Sequence, residues 1–207
     1  MDCRLLLASN SPRRRELVSA AGFEFDTLAP QVPERSDINL TVRELTALNA
    51  VRKGLTIART HPDRVILAAD TLVILGNAII GKPRDRDNAA TILSLLSGKM
   101  HEVCSSVFIL HLARARLAMF HEISQVRFRR LDKKRIAQYL AKVNPLDKAG
   151  AYAAQGYGAE IIASIKGSYT NVIGLPMEKT RAALAEFGIK PTISPRLRKQ
   201  QQFSPAD

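Results

Sequence analysis

The chain has no tryptophan, and aromatic residues fill only 5% of its 207 positions. That scarcity argues against a platform for single-stranded nucleic acid, which needs successive rings to stack bases on. Its two cysteines, Cys3 and Cys104, each sit in an apolar stretch. They form neither a disulfide framework nor a zinc site, and read as buried thiols in a reducing compartment. Histidine is sparse too. His101-Glu102 and His121-Glu122 do not continue to H-E-x-x-H, which removes the helical zinc-hydrolase pattern. No apolar run approaches the roughly 20 residues of a membrane span. The first apolar segment, residues 4–8, is too short for a signal-peptide core and runs straight into Ser-Asn-Ser-Pro-Arg-Arg-Arg. A cytoplasmic location without membrane contact is expected. Acidic residues are the scarcer charge, 19 against 31 Lys+Arg, for a net charge of +12. Such an excess suits anionic partners. Much of it falls in residues 127–135 and 196–199, where a solvated basic face is favoured over nucleic-acid binding.

What is present fits one compact domain with a real core, since 46% of residues are hydrophobic. Residues 1–189 read as that domain and residues 190–207 as a basic, flexible tail rich in Pro, Gln and Arg. The chain is organised around residues 65–83. The run Val65-Ile66-Leu67-Ala68-Ala69 stops at Asp70; Leu72-Val73-Ile74-Leu75 turns at Gly76-Asn77; Ala78-Ile79-Ile80 stops at Gly81-Lys82-Pro83. This spells a buried strand delivering a carboxylate at its end, then a tight hairpin delivering a lysine. A carboxylate and a lysine on rigid strands begin a site for a metal and a phosphate.

The N-terminal residues could complete it. Residues 4–8 read as a doubly buried strand, Ser11 as the cap of a helix with Pro12 in first position, and Gly22 as its stop. Arg13, Arg14 and Arg15 then crowd the positive end of the helix dipole, which favours a bound anion that compensates them. Further on, residues 23–29 read as a strand. Residues 30–39, carrying Glu34, read as a loop. Thr41 and Glu44 form a capping box that opens a helix to about residue 60, carrying Lys53, with Leu45, Leu48, Leu55 and Ile57 as core candidates. Asp85 caps a helix to about Ser97-Gly98. Two long antiparallel strands follow over 100–112 and 117–129, then a helix over 131–143. Residues 146–158, dense in Gly, Ala and Tyr, read as a loop that comes close to something. A last strand over 159–166, a donor-rich turn over 167–171 and a helix from Pro176 to about Phe187 close the domain. No internal repeat is present.

Residues 76–82 match G-x-x-x-x-G-K, but Pro83 stands where a P-loop needs the hydroxyl that holds magnesium. The P-loop reading is therefore rejected, and Lys82 is kept as a positioned charge. Ser9, Ser11, Ser105 and Ser106 show no nucleophile elbow. Asp70 and Glu34, with Asp147 as a further candidate, are hard oxygen donors of the type that suits Mg2+ or Mn2+.

Seven motifs in register then resemble one family, the Maf-like nucleoside triphosphate pyrophosphatases, also called septum-formation-inhibitor-like proteins. They are Ser9-Asn10-Ser11-Pro12-Arg13-Arg14, Ala69-Asp70-Thr71, Gly81-Lys82-Pro83, Ser97-Gly98-Lys99 with His101-Glu102-Val103, Asp147-Lys148-Ala149-Gly150-Ala151-Tyr152, Gln155-Gly156 and Asn171-Val172-Ile173-Gly174-Leu175-Pro176. The resemblance spans residues 4–187. It implies an elongated α/β mixed-sheet fold with two lobes around a cleft, related to the inosine triphosphate pyrophosphatases. It also implies metal-dependent hydrolysis of a nucleoside triphosphate to the monophosphate and pyrophosphate. On this likeness Asp70 and Lys82 are the catalytic pair, Asp70 and Glu34 hold the metal, and Ser9, Arg14 and Lys53 line the substrate site. Arg13, Thr71 and Gln155 match the subgroup that prefers dTTP and UTP. The amide of Gln155 offers the donor and acceptor that the O4 and N3–H edge of uracil or thymine requires. Departures are Gly54, where alanine is usual, Met100 in place of threonine, and Cys104-Ser105-Ser106 in place of an apolar-Thr-Gly run. The family's older name keeps an alternative in view, a basic regulator of cell division acting through nucleic acid or a protein partner. A homodimer is left open.

Overall fold

The structure is a computed structural model that describes residues 5–36 and 39–192. The apolar tetrad Leu5–Ala8 forms β1, buried along its whole length. Ser11 caps α1 (Pro12–Ala20) by accepting from the Arg14 amide, and Gly22 stops the helix at φ 83°. A short edge strand, β2 (Phe25–Leu28), follows. The reciprocal Thr41–Glu44 capping box opens α2 (Val42–Ala58). Next come β3 (Val65–Leu75) and its hairpin partner β4 (Ala78–Ile80). Asp85 caps α3 (Arg86–Leu96), and Asp132 caps α4 (Lys133–Lys142). Between those helices run the long strands β5 (Met100–His111) and β6 (Arg116–Phe128). The chain closes with β7 (Ile162–Lys166), α5 (Tyr169–Ile173) and α6 (Met177–Glu186).

The strands make one mixed seven-stranded sheet in the order β2-β1-β3-β5-β6-β7, with β4 added against β3. β1 lies parallel to β2 and β3; every other pair is antiparallel. Alternation along β3 sorts its side chains between two core clusters. Val65, Leu67 and Ala69 join Leu5, Leu7 and residues of α1, α3, α4 and α6. Ile66 and Ala68 join Leu6, Ala8 and the α2 residues Ala50 and Ile57. Asp70 continues the second series and so points to the α2 side. The fold is thus the α/β mixed sheet expected from the sequence. Among the described residues no helix is long and apolar enough to cross a membrane.

Several expectations are corrected. Asp70 is not at a strand end, because β3 runs unbroken to Leu75 and β5 pairs with it across Asp70 itself. The sequence signal has a physical source nonetheless: β1 accompanies β3 only as far as Ala68. Between there and Val73, where β4 takes over, that edge of β3 is unpaired, and a polar residue is tolerated there. The turn over 167–171 is instead the start of α5, with Ser168 as its cap. Leu48 is not core but 36% exposed, on the outer side of α2. The tail does not begin at Lys190. Ile189 is buried, and the amide of Thr192 donates to the Gly22 carbonyl at 2.9 Å. Cys3 and residues 193–207, with their basic cluster, lie outside the described residues. Cys104 is buried as expected, and burial raises its thiol above its ordinary pKa.

Candidate active site

Where β1 leaves β3, a cleft of about 840 Å³ opens. One wall is the β1–α1 turn, the segment around Glu34 and the inner face of α2. The other is the run 147–154 with residues 172–174. Arg13, Arg14, Arg35, Lys53, Lys82 and Lys148 face three carboxylates across it, Glu34, Asp70 and Asp147. Six cations against three anions make the cleft a receptor for negative charge.

The floor is built on two rigid elements. Asp70, 4% exposed, is delivered by β3, and Lys53, 8% exposed, by α2. The Lys53 ammonium donates to Asp70 Oδ1 at 2.6 Å and to Glu34 Oε1 at 2.7 Å. It therefore bridges the two carboxylates expected to hold a metal. Lys82, on the rim, approaches Glu34 Oε2 at 3.4 Å. Burial alone would raise the Glu34 pKa, but Lys53 and Lys82 outweigh it and hold the carboxyl below its usual range.

The arginines do not lie free as a surface cluster. Arg13 grips Asp147 across the cleft, with 2.6 Å to its carboxylate and 3.2 Å to its carbonyl. Lys148 holds the other oxygen of that carboxylate at 2.6 Å. Burial opposes ionisation of Asp147, yet Lys148 and Arg13 together keep its pKa low. Asp147 is thus an anchor for the opposite wall and is not gathered with Asp70. Arg14 is buried and donates Nε to the Gly174 carbonyl at 2.8 Å and Nη2 to Thr71 Oγ1 at 3.0 Å. Burial lowers its pKa, while Asp70 and Glu34 oppose that shift and Arg13 adds to it. Arg15 is exposed. The charge expected at the helix start is therefore largely met by the protein itself.

Ser9 is buried, and its hydroxyl accepts from the Ser11 amide at 3.1 Å, shaping the turn that presents both arginines. Thr71 is also committed internally: besides Arg14 it meets Ser105 Oγ at 2.8 Å and the Gly174 carbonyl at 3.2 Å. Gln155 follows Ala154 on the far wall but is not itself among the residues lining the cleft. The structure thus gathers Ser9, Arg13, Arg14, Glu34, Lys53, Asp70, Thr71 and Lys82, and leaves Gln155 at the margin. Sequence reading missed Asn49, which donates to Asp70 Oδ2 at 3.3 Å. It also missed the buried pair His101–Tyr152, whose 2.8 Å bond braces the far wall from behind. Only the helical spacing from Asn49 to Lys53 could have flagged the former.

A family model described as Maf-like protein matches residues 4–187. This chain belongs to that family. A relative named dTTP/UTP pyrophosphatase from Aquifex aeolicus (strain VF5) is 41% identical over 189 residues, covering 90% of this chain and 96% of the relative. A second protein of that name, from Bacillus pumilus (strain SAFR-032), is 41% identical, with 91% and 98% covered. Among solved structures, the Staphylococcus aureus Ham1 protein aligns at 11% identity and a TM-score of 0.42, over 60% of this Maf-like chain and 71% of that one. Two of the family departures, Ser105 and Ser106, lie against residues of the site. Ser105 bonds Thr71, and Ser106, cross-strand from Asp70, bonds Thr46 Oγ1 at 2.7 Å.

A divalent metal would draw on the carboxylates of the cleft. Among the described residues there is no cluster of three or more His, Cys, Asp or Glu able to hold one. The pair Asp70 and Glu34 remains. Two hard carboxylates with substrate phosphates and water are a common way of holding Mg2+, so the residues fit an ion shared with a nucleotide rather than a caged one.

Proposed function

We propose that this chain hydrolyses dTTP and UTP, with modified pyrimidine triphosphates as further candidates, to the monophosphate and pyrophosphate. One observation carries the reading: a buried carboxylate, Asp70, held 2.6 Å from Lys53 on the floor of a strongly cationic cleft. Relatives matched over nearly their whole length that bear the name dTTP/UTP pyrophosphatase supply the substrate class.

Asp70 orients the attacking water by accepting its hydrogen bond and takes up its proton. Lys53 fixes the rotamer of Asp70, so the water meets the α-phosphorus from one direction. Arg14, Lys53 and Lys82 neutralise the charge that grows on the departing pyrophosphate, an electrostatic task that preorganised cations perform without rearrangement. Arg13, through Asp147, sets the distance between the walls. Asp70 and Glu34 would hold Mg2+ or Mn2+, which supplies charge neutralisation on phosphate oxygens and acidifies a bound water. Gln155 reads the O4 and N3–H edge of the base by turning its amide into the cleft mouth. Thr71 contributes through the arginine it anchors. The buried free thiol of Cys104 supports a reducing, cytoplasmic setting for this activity.

The test is a panel of nucleoside triphosphates with each metal, read by pyrophosphate release. Turnover of dTTP and UTP is expected, and Asp70→Asn should abolish it while nucleotide binding persists. No release across the panel would refute the catalytic reading and favour a binding role. Undiminished turnover by Asp70→Asn would remove Asp70 from its post.

A further inference from the structure

Glu34 sits in a segment with no regular secondary structure, between β2 and α2. Something other than a hydrogen-bonded ladder must fix it over the cleft floor. The two residues beside it show what does. Asn49 Oδ1 accepts from the Arg35 amide at 2.8 Å, and Asn49 Nδ2 donates to the Arg35 carbonyl at 3.1 Å. On the other side, Arg52 Nη1 donates to the Pro33 carbonyl at 3.0 Å. Lys53 takes the Glu34 carboxylate itself. Residues 49, 52 and 53 share one helix face by their i, i+3, i+4 spacing. α2 therefore grips the backbone before and after Glu34 and its side chain between.

Asn49 does one thing more. Its second Nδ2 hydrogen reaches Asp70 Oδ2 at 3.3 Å. One side-chain amide, 2% exposed, thus spans from the strand carboxylate to the loop backbone. Both its donors and its acceptor are engaged, so it has no donor left for substrate. We infer that Asn49 is a positioning residue: it sets Glu34 against Asp70, and so fixes the separation of the two carboxylates that Lys53 bridges. Asp70 needs no such help, being held in β3 by β5 across the register pair Asp70–Ser106. Loss of Asn49 should act on Glu34. The inference rests on the catalytic reading for its kinetic arm alone.

Two measurements test it. The first is amide hydrogen exchange on the free protein, comparing wild type with Asn49→Ala. Alanine favours the helix, so α2 should stay intact. Exchange at residues 34–36 should quicken by about tenfold or more, as a backbone bond is lost, while β3 and the rest of α2 keep their rates. Unchanged exchange at 34–36 would overturn the inference, whatever the enzyme does. Asn49→Asp serves as the second variant should alanine fail to fold. It keeps the acceptor for the Arg35 amide but loses both donors and faces Asp70 with like charge, and should loosen the same segment.

The second measurement is a double-mutant cycle on dTTP turnover with Glu34→Gln. If Asn49 works through Glu34, each single variant lowers kcat and the double variant is within about twofold of the weaker single. Losses that multiply would overturn the inference, since Asn49 would then act elsewhere. A wild-type protein inactive on dTTP and UTP would refute the proposed function and leave the exchange result standing.

Discussion

Lys53 carries the most exacting prediction, because two carboxylates depend on it. Lys53→Met keeps the length and apolar stem of the side chain and removes only the ammonium. Asp70, 4% exposed, would then retain the 3.3 Å bond from Asn49 and the more distant field of Arg14. Removing one side of a buried ion pair costs about 3–5 kcal/mol, since the remaining charge is stranded. Glu34 adds little, because it is half-exposed and keeps Lys82. The residual partners of Asp70 place the loss at the lower end, about 3 kcal/mol. In a chain of this size that is a fall of roughly 6–12 °C in Tm. Adding Asp70→Asn should return about 2 kcal/mol, because no charge is then left unpaired. With no tryptophan in the chain, unfolding is best followed by far-ultraviolet circular dichroism in a urea series. A single-variant loss under about 1 kcal/mol, or a double variant no more stable than the single, would show that the pair does not act as described.

Other outcomes follow from the same geometry. His101 is 1% exposed, and burial pushes its pKa down to about 4. It stays neutral in the fold while the unfolded chain binds its proton near pH 6.5. The stability it contributes is complete above that pH and is lost as pH falls toward 4, by about 3 kcal/mol in all. The loss between pH 7 and 4.5 should be correspondingly smaller in His101→Gln, and equal losses in the two proteins would refute it. At Gly54 an added Cβ would lie 2.5 Å from Phe108 Cδ1 and 3.3 Å from Ala68 Cβ. Gly54→Ala should therefore destabilise on balance, with overpacking of about 1–3 kcal/mol set against a helix gain of about 1 kcal/mol. In a Phe108→Leu background the same change should turn neutral or favourable; denaturation midpoints decide. Gln155→Glu should cut dTTP and UTP turnover by about tenfold or more without shifting Tm, and an unchanged preference for UTP over GTP would remove Gln155 from base selection.

How far the site could be read in advance differs residue by residue. Asp70 and Lys82 stand out because a charge that ends an apolar run is a local event, visible within a few positions. Ser11, Thr41 and Asp85 announced their helices for the same reason: a cap is a bond over three residues. Asn49 had no such signal. Its partners are 14 and 21 residues away, and an asparagine inside an amphipathic helix looks like an ordinary polar position. Arg13, Arg14 and Arg15 read as a cluster awaiting an anion, yet the first closes on Asp147, the second on Gly174 and Thr71, and the third is exposed. Contacts that span 57 to 160 residues leave no local trace.

By itself, then, the sequence determined the α/β alternation, the caps, the hairpins, the absence of any membrane-length apolar run and the residue types of an anion site. Each of these depends on periodicity or on neighbours within one turn or strand. Tertiary structure alone decided that Asp70 lies inside an unbroken strand beside the open edge left by β1, that Lys53 stands between the two carboxylates, and that an asparagine on α2 ties the Glu34 segment to the floor. Those facts depend on which strand stops where and which helix face meets which loop. Such distances are set only once the sheet is assembled.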